Sequence, residues 1–189
     1  MIGGKTSDQI LIEVAKNAAA VIAVGSCASY GGLAKAKPNP TGAKGVRDLI
    51  TDKAVVNIPG CPPIPEVLSN TVAHLVVLGK LPELDSLGRP LAYYRTLIHD
   101  LCLKRGAFDK GLFADSFDSD GYRQGYCLYK LGCKGPATYN ACASLKWNEG
   151  TSFPIQSGHP CLGCSEPNFW DGDGVYPEID VKARVSKLD

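Results

Sequence analysis

AVIAVGSCASYGG, residues 20–32, sets a compact apolar run, Ala20 to Val24, directly against a glycine and a cysteine. Five apolar residues that stop at Gly25 read as a strand buried on both faces, the habit of parallel sheets. A second run of the same kind, Ala54-Val-Val-Asn-Ile58, stops at Pro59-Gly60 and again meets a cysteine, Cys61. Pro65 then opens a helix expected to reach Leu78, with Gly79 as its stop. Upstream, Thr6-Ser-Asp-Gln9 has the form of a capping box, followed by Ile10, Leu11, Val14, Ala15 and Ala18 at helical spacing. Strand and helix alternate through residues 1–88, which predicts an α/β segment with a parallel sheet, doubly wound at least in part.

Beyond Gly88 the alternation fades. Residues 89–189 form a second expected unit, and from Gly106 onward it is rich in Gly, Pro, Asp, Ser and Cys with short apolar runs. Such a stretch needs something besides a hydrophobic core to order it. There is no internal repeat and no low-complexity tract.

Composition narrows the function. The 189 residues are 44% hydrophobic and 21% charged, enough for one sizeable core or two small ones. Lys+Arg 20 against Asp+Glu 19 leaves a formal charge of +1 and no basic block that could track a phosphate backbone, which argues against nucleic acid as a partner. The longest apolar run, Ala18 to Val24, is too short to span a bilayer, and no basic-then-apolar leader precedes it, so the sequence as it stands reads as soluble and without an export signal. Gly4-Lys5-Thr6 looks like the end of a phosphate-binding loop, but the first glycine of that motif would fall before Met1 and no strand precedes it.

Eight cysteines against one methionine are the outlier. Four disulfides would suit a much smaller domain, and a chain with this apolar fraction needs no such staples, so metal coordination leads. Cys27 and Cys61 each lie just past the carboxyl end of an expected strand, the edge along which open parallel sheets bind ligands, among small neighbours that let backbone amides approach sulfur. Taken singly, each could equally be a small buried apolar residue. His99 and Cys102, in YYRTLIHDLCLKR, are three apart in an amphipathic helical pattern that puts both on one face. Cys127 and Cys133 follow in GYCLYKLGCKG, making a Cys3His set. His74, alone in the expected helix, is read as an ordinary surface or core residue. Cys142 joins Cys161 and Cys164, the C-x-x-C of HPCLGCSEPNFWD, as a further group. A zinc ion on His99, Cys102, Cys161 and Cys164 is the main rival, and it strands four cysteines, whereas iron-sulfur binding uses all eight.

Read together, MIGGKT, AVGSCASYGG, AKPNPTG, PGCPPIPE, GRP, IHDLC, GYCLYKLGCKGP, YNAC and SGHPCLGCSEPNFWD make the chain resemble the small, electron-transfer subunit of nickel-iron hydrogenases, from Met1 to about Tyr176. The resemblance implies a partial flavodoxin-like domain over 1–88 and a loop-rich iron-sulfur domain over 89–189. It implies that Cys27 and Cys61 are two ligands of a proximal 4Fe-4S cluster, and that His99, Cys102, Cys127 and Cys133 hold a distal 4Fe-4S cluster. Cys142, Cys161 and Cys164 would hold a medial 3Fe-4S cluster, with Pro154 where a fourth cysteine would stand. It further implies a large subunit that carries the nickel-iron centre, an acceptor such as a cytochrome or a quinone-linked membrane subunit, and a periplasmic or membrane-associated location. The family's amino-terminal segment, which supplies the other two proximal ligands, is expected to be absent here. A free ferredoxin-like carrier and a zinc-stabilised structural module are the competing readings.

Overall fold

The computed structural model describes residues 2–171 and 176–177; the expected second unit's last stretch, residues 178–189, lies outside the described residues. Helix α1 (Ser7–Ala15) starts where the capping box stands, with the Thr6 amide donating to Gln9 Oε1 at 3.0 Å. It ends one turn sooner than the periodic set suggests, because Ala18 N bonds back to Ala15 O at 3.0 Å and closes a turn.

Strands β1 (Val21–Val24) and β2 (Val55–Ile58) pair in parallel, with Val21 opposite Val55 and Val24 opposite Ile58. Helix α2 (Gly25–Tyr30) leaves β1 immediately at its carboxyl end, and α3 (Pro65–Leu78) runs from the expected proline to the expected glycine, Gly79, which has φ +64°. Among the described residues the sheet has these two strands, so the architecture is mixed α/β with a small parallel sheet; the flavodoxin-like detail goes beyond it.

The second half is built from short pieces: α4 (Leu91–Tyr94), α5 (Arg105–Asp109) and α6 (Asp120–Arg123), with 3-10 turns between and after them. Here one expectation fails. His99 and Cys102 do not share a face of an amphipathic helix. Ile98–Leu101 is a single 3-10 turn and Cys102 is extended (φ −71°, ψ 132°). The reason is tertiary: Leu97 forms an antiparallel bridge with Tyr139, and Ile98 N donates to Thr138 O at 2.9 Å, so the chain is pulled into extended pairing before a helix can propagate.

One hydrophobic core draws on both halves. Val56, Ile58, Ile64 and Val67 from the sheet and α3 pack with Tyr94, Ile98, Leu128, Leu131, Phe153 and Ile155, and the same cluster includes Cys133, Cys142 and Cys161. A smaller cluster of Ala15, Ala23, Ile50 and Val55 seats α1 against the sheet. No helix among the described residues is long and apolar enough to cross a membrane.

Candidate metal centres

Both expected strand ends deliver their cysteines to one place. Ser26 N donates to Gly60 O at 2.9 Å and Gly60 N donates to Ser26 Oγ at 2.9 Å, so the residues preceding Cys27 and Cys61 are locked together. Ser26 Oγ also donates to the carbonyl of Cys164, 138 residues away. Ser26 is 2% exposed, so this one hydroxyl ties three cysteine-bearing loops away from competing water. Cys27 and Cys61 themselves remain exposed.

Gly32 lies against Cys27. It has φ +60°, and a Cβ there would come within 2.4 Å of Cys27 Sγ. Gly32→Ala should therefore cost about 1–2 kcal/mol for the left-handed backbone alone, before any clash. A lowered thermal midpoint together with faster alkylation of Cys27 is the expected outcome; unchanged values for both would show that the loop yields freely.

His99, Cys102, Cys127 and Cys133, although scattered over 35 positions, line one hollow, walled by the apolar Leu128, Pro136 and Ile155. The His99 ring is held edge-on by Phe108, with ring centroids 4.5 Å apart, and Phe108 in turn meets Phe113 and Tyr129. Burial, and then the nearby Arg105, hold the His99 imidazole below its ordinary pKa, which keeps it neutral and able to ligate. Burial pushes the Cys127 thiol up to about 11, and raises Cys102 and Cys133 as well.

Cys142, Cys161 and Cys164 line a second cavity of about 290 Å³, together with Pro154, Trp147 and Cys61. Burial pushes Cys142 up to about 12 and Cys161 well above the usual thiol value. Backbone amides already point at these sulfurs: Gly163 N donates to Cys161 Sγ at 3.4 Å, and Lys104 N does the same for Cys102 Sγ at 3.4 Å. The walls of the two cavities are tied together, since Ile155 lines both and the amide of Cys161 donates to Cys133 Sγ at 3.4 Å. Among the described residues no three His, Cys, Asp or Glu gather tightly enough to hold one ion.

Sequence reasoning missed Arg89, which appeared there only within the motif GRP. It is 4% exposed and sits at the seam of the two halves. Its guanidinium donates to Asp85 Oδ2 at 2.7 Å, to Glu166 Oε1 at 3.0 Å and to the carbonyl of Ser165 at 3.2 Å. The rings of Tyr94 and Tyr139 flank it, 5.4 and 5.8 Å from the guanidinium carbon. Burial opposes its charge, but Glu166, Tyr30 and Asp85 more than offset this and hold its pKa above the ordinary value. Glu166 Oε1 also accepts from Tyr139 N at 2.7 Å, which fixes the approach to Cys142.

Residues 94–176 match the family model for the C-terminal region of the NiFe/NiFeSe hydrogenase small subunit, and residues 2–75 match that for the NADH ubiquinone oxidoreductase 20 Kd subunit. The uptake hydrogenase small subunit of Afipia carboxidovorans is 54% identical over 179 residues, covering 95% of this chain and 49% of the relative. The hydrogenase-1 small chain of Escherichia coli strain K12 is 51% identical over 176 residues, covering 93% of this chain and 47% of the relative. Among solved structures, a reduced, active form of the Ni-Fe-Se hydrogenase from Desulfomicrobium baculatum superposes with a TM-score of 0.82 at 37% identity, covering 92% of this chain and 65% of that one. The chain spans about half the length of the curated relatives it matches, and over that span it is similar to NiFe hydrogenase small subunits.

Proposed function

We propose that the chain is the electron-transfer part of a nickel-iron hydrogenase, passing electrons between the nickel-iron centre of a large subunit and an external acceptor during reversible hydrogen oxidation. The observation that carries this reading is the serial linkage of three cysteine groups. Ser26 joins the loops of Cys27, Cys61 and Cys164, and the Cys161 amide reaches Cys133 Sγ. A free carrier needs no such chain of sites.

The donors fit iron-sulfur clusters. They are thiols and one neutral imidazole, they surround hollows instead of converging on a point, and amides face their sulfurs. A tetrahedral zinc ion would need four donors at one point. His99, Cys102, Cys127 and Cys133 would hold a distal 4Fe-4S cluster; Cys142, Cys161 and Cys164 would hold a medial 3Fe-4S cluster; Cys27 and Cys61 would give two ligands to a proximal 4Fe-4S cluster. When bound, such clusters supply one-electron storage. The chain's own part is to exclude water with apolar walls, aim amides at sulfur and fix the spacing between sites. The resemblance further supports a cytochrome or quinone-linked membrane subunit as acceptor and a periplasmic or membrane-associated location.

Anaerobic purification tests the reading. About seven iron atoms on the distal and medial ligand sets and a co-purifying nickel-containing subunit are expected. Iron without a larger partner would favour a free carrier. A colourless protein with stoichiometric zinc would favour the structural module.

Two further outcomes follow from the site. His99→Ala should slow reduction of the external acceptor by at least about tenfold, while hydrogen-deuterium exchange, which needs no long-range transfer, stays near the parent rate. Equal losses in both assays would make His99 an assembly residue instead.

Iron retention should also depend on pH. Each buried thiol must lose a proton to bind iron, and burial holds Cys127 and Cys142 at about 11 and about 12. Between pH 6 and 9 these thiols are protonated when free, so binding releases protons and tightens as pH rises. Iron loss to a chelator that is already fully ionised should thus be faster at pH 6 than at pH 8; equal rates would show that proton release does not limit binding.

A further inference from the structure

Trp147 stands apart among the residues around the second cavity. Its indole Nε1 is buried and has no hydrogen-bond partner, whether nitrogen, oxygen or sulfur, among the described residues. An indole N–H can only donate, and leaving a buried donor unmade costs about 1–3 kcal/mol. The ring lines the cavity that also carries Cys142, Cys161 and Cys164. Its backbone is held firmly: Trp147 N donates to Ser152 O at 2.8 Å, Thr151 N donates to Trp147 O at 3.0 Å, and the two strands of this tight turn form an antiparallel bridge. Positive φ values at Lys146, Asn148, Glu149 and Gly150 shape the turn. So much local constraint fixes where the indole sits, in the wall of a cavity whose other lining groups include the sulfurs of Cys142, Cys161 and Cys164.

We infer that Trp147 is a positioning and tuning residue for the medial site, its indole N–H donating to cysteinyl or inorganic sulfur of the iron-sulfur cluster bound there. The inference rests on the cluster assignment above. A donor aimed at sulfur stabilises the more negatively charged, reduced state and so raises the potential. Neither the aromatic bulk of Trp147 nor its packing against the main core is needed for that effect; the N–H alone is.

The test is a redox titration of the purified, anaerobic enzyme with its large subunit, following the three-iron resonance signal. Trp147→Phe keeps the ring and the backbone pairing but removes the donor. It should shift the one-electron reduction equilibrium about tenfold toward the oxidised cluster, equivalent to about 59 mV to lower potential. Trp170→Phe removes the other orphaned indole N–H, on a ring outside this cavity, and should leave the medial potential in place. A retained signal with an unmoved potential in Trp147→Phe would overturn the inference while leaving the cluster assignment intact. Absence of any three-iron signal in the parent would overturn both. Should Trp147→Phe fail to assemble, the Trp170→Phe enzyme labelled with 15N-indole tryptophan decides, since Trp147 is then the labelled indole that lines this cavity and the coupling falls off steeply with distance. A 15N hyperfine coupling to the cluster spin supports the inference, and its absence overturns it.

Discussion

Arg89→Met is expected to destabilise the protein by about 3–5 kcal/mol, the usual cost of stripping one partner from a buried ionic network. Methionine approximates the stem of arginine, so packing between Tyr94 and Tyr139 largely survives. What is lost is the charge that faces Asp85 and Glu166, and the donor to Ser165 O beside Cys164. Burial already lifts the Glu166 carboxyl above its ordinary 4.5, and Arg89 is the main group pulling it back. Without Arg89 its folded pKa rises further. A group raised on folding contributes stability that is present below its unfolded pKa and lost as pH climbs through the folded one. The deficit of the variant should therefore be largest near neutrality and shrink toward pH 4.5. Unfolding midpoints of parent and variant at matched iron content, taken at pH 5 and pH 7, check both the size and the sign. Arg89→Lys should recover only part of the loss, because an ammonium cannot reach Asp85, Glu166 and Ser165 O in one plane. A deficit below about 1 kcal/mol would mean that water reaches the seam.

On the proposed assignment, Pro154→Cys should turn the medial three-iron signal into that of a four-iron cluster almost completely, with a fall in potential. Pro154 lines the same cavity as Cys142, Cys161 and Cys164, and its ring offers iron no donor. Its carbonyl accepts from His159 N at 2.9 Å, a bond the substitution preserves, so the turn leading to Cys161 stays in place. A thiol there would complete a fourth corner. Resonance spectroscopy of the oxidised enzyme reads the conversion directly, and an undiminished three-iron signal would remove Pro154 from the ligand frame.

What could be read from sequence was local. The strands at Val21–Val24 and Val55–Ile58, and the helix from Pro65 to Leu78, announce themselves because an apolar run, a proline and a glycine each act within a few residues. The gathering of His99, Cys102, Cys127 and Cys133 around one hollow could be guessed from residue type alone. The conformation that achieves it could not: the periodicity around His99 is helical, yet Leu97 pairs with Tyr139, and nothing near Leu97 signals a partner 42 residues away. Arg89 and Ser26 stayed hidden for the same reason. A charged residue and a serine look like surface in any window, and only their contacts with Glu166 and with Cys164 reveal them as buried ties between halves. Trp147 had no signal at all beyond its name, since the meaning of an indole N–H depends on having no ordinary acceptor nearby.

That Cys133, Cys142 and Cys161 belong to the main hydrophobic core, packed with Val56, Ile58 and Phe153, has a consequence for turnover in the cell. In most proteins a prosthetic group sits in a pocket of an already finished core, and its loss leaves a folded, inert shell. On the proposed assignment these cysteines are iron ligands as well as core members, so filling the sites and consolidating the interior become one event. A chain that misses its iron would loosen where it is most apolar and expose the surface that proteases and chaperones recognise. Faulty copies would then be cleared instead of lingering.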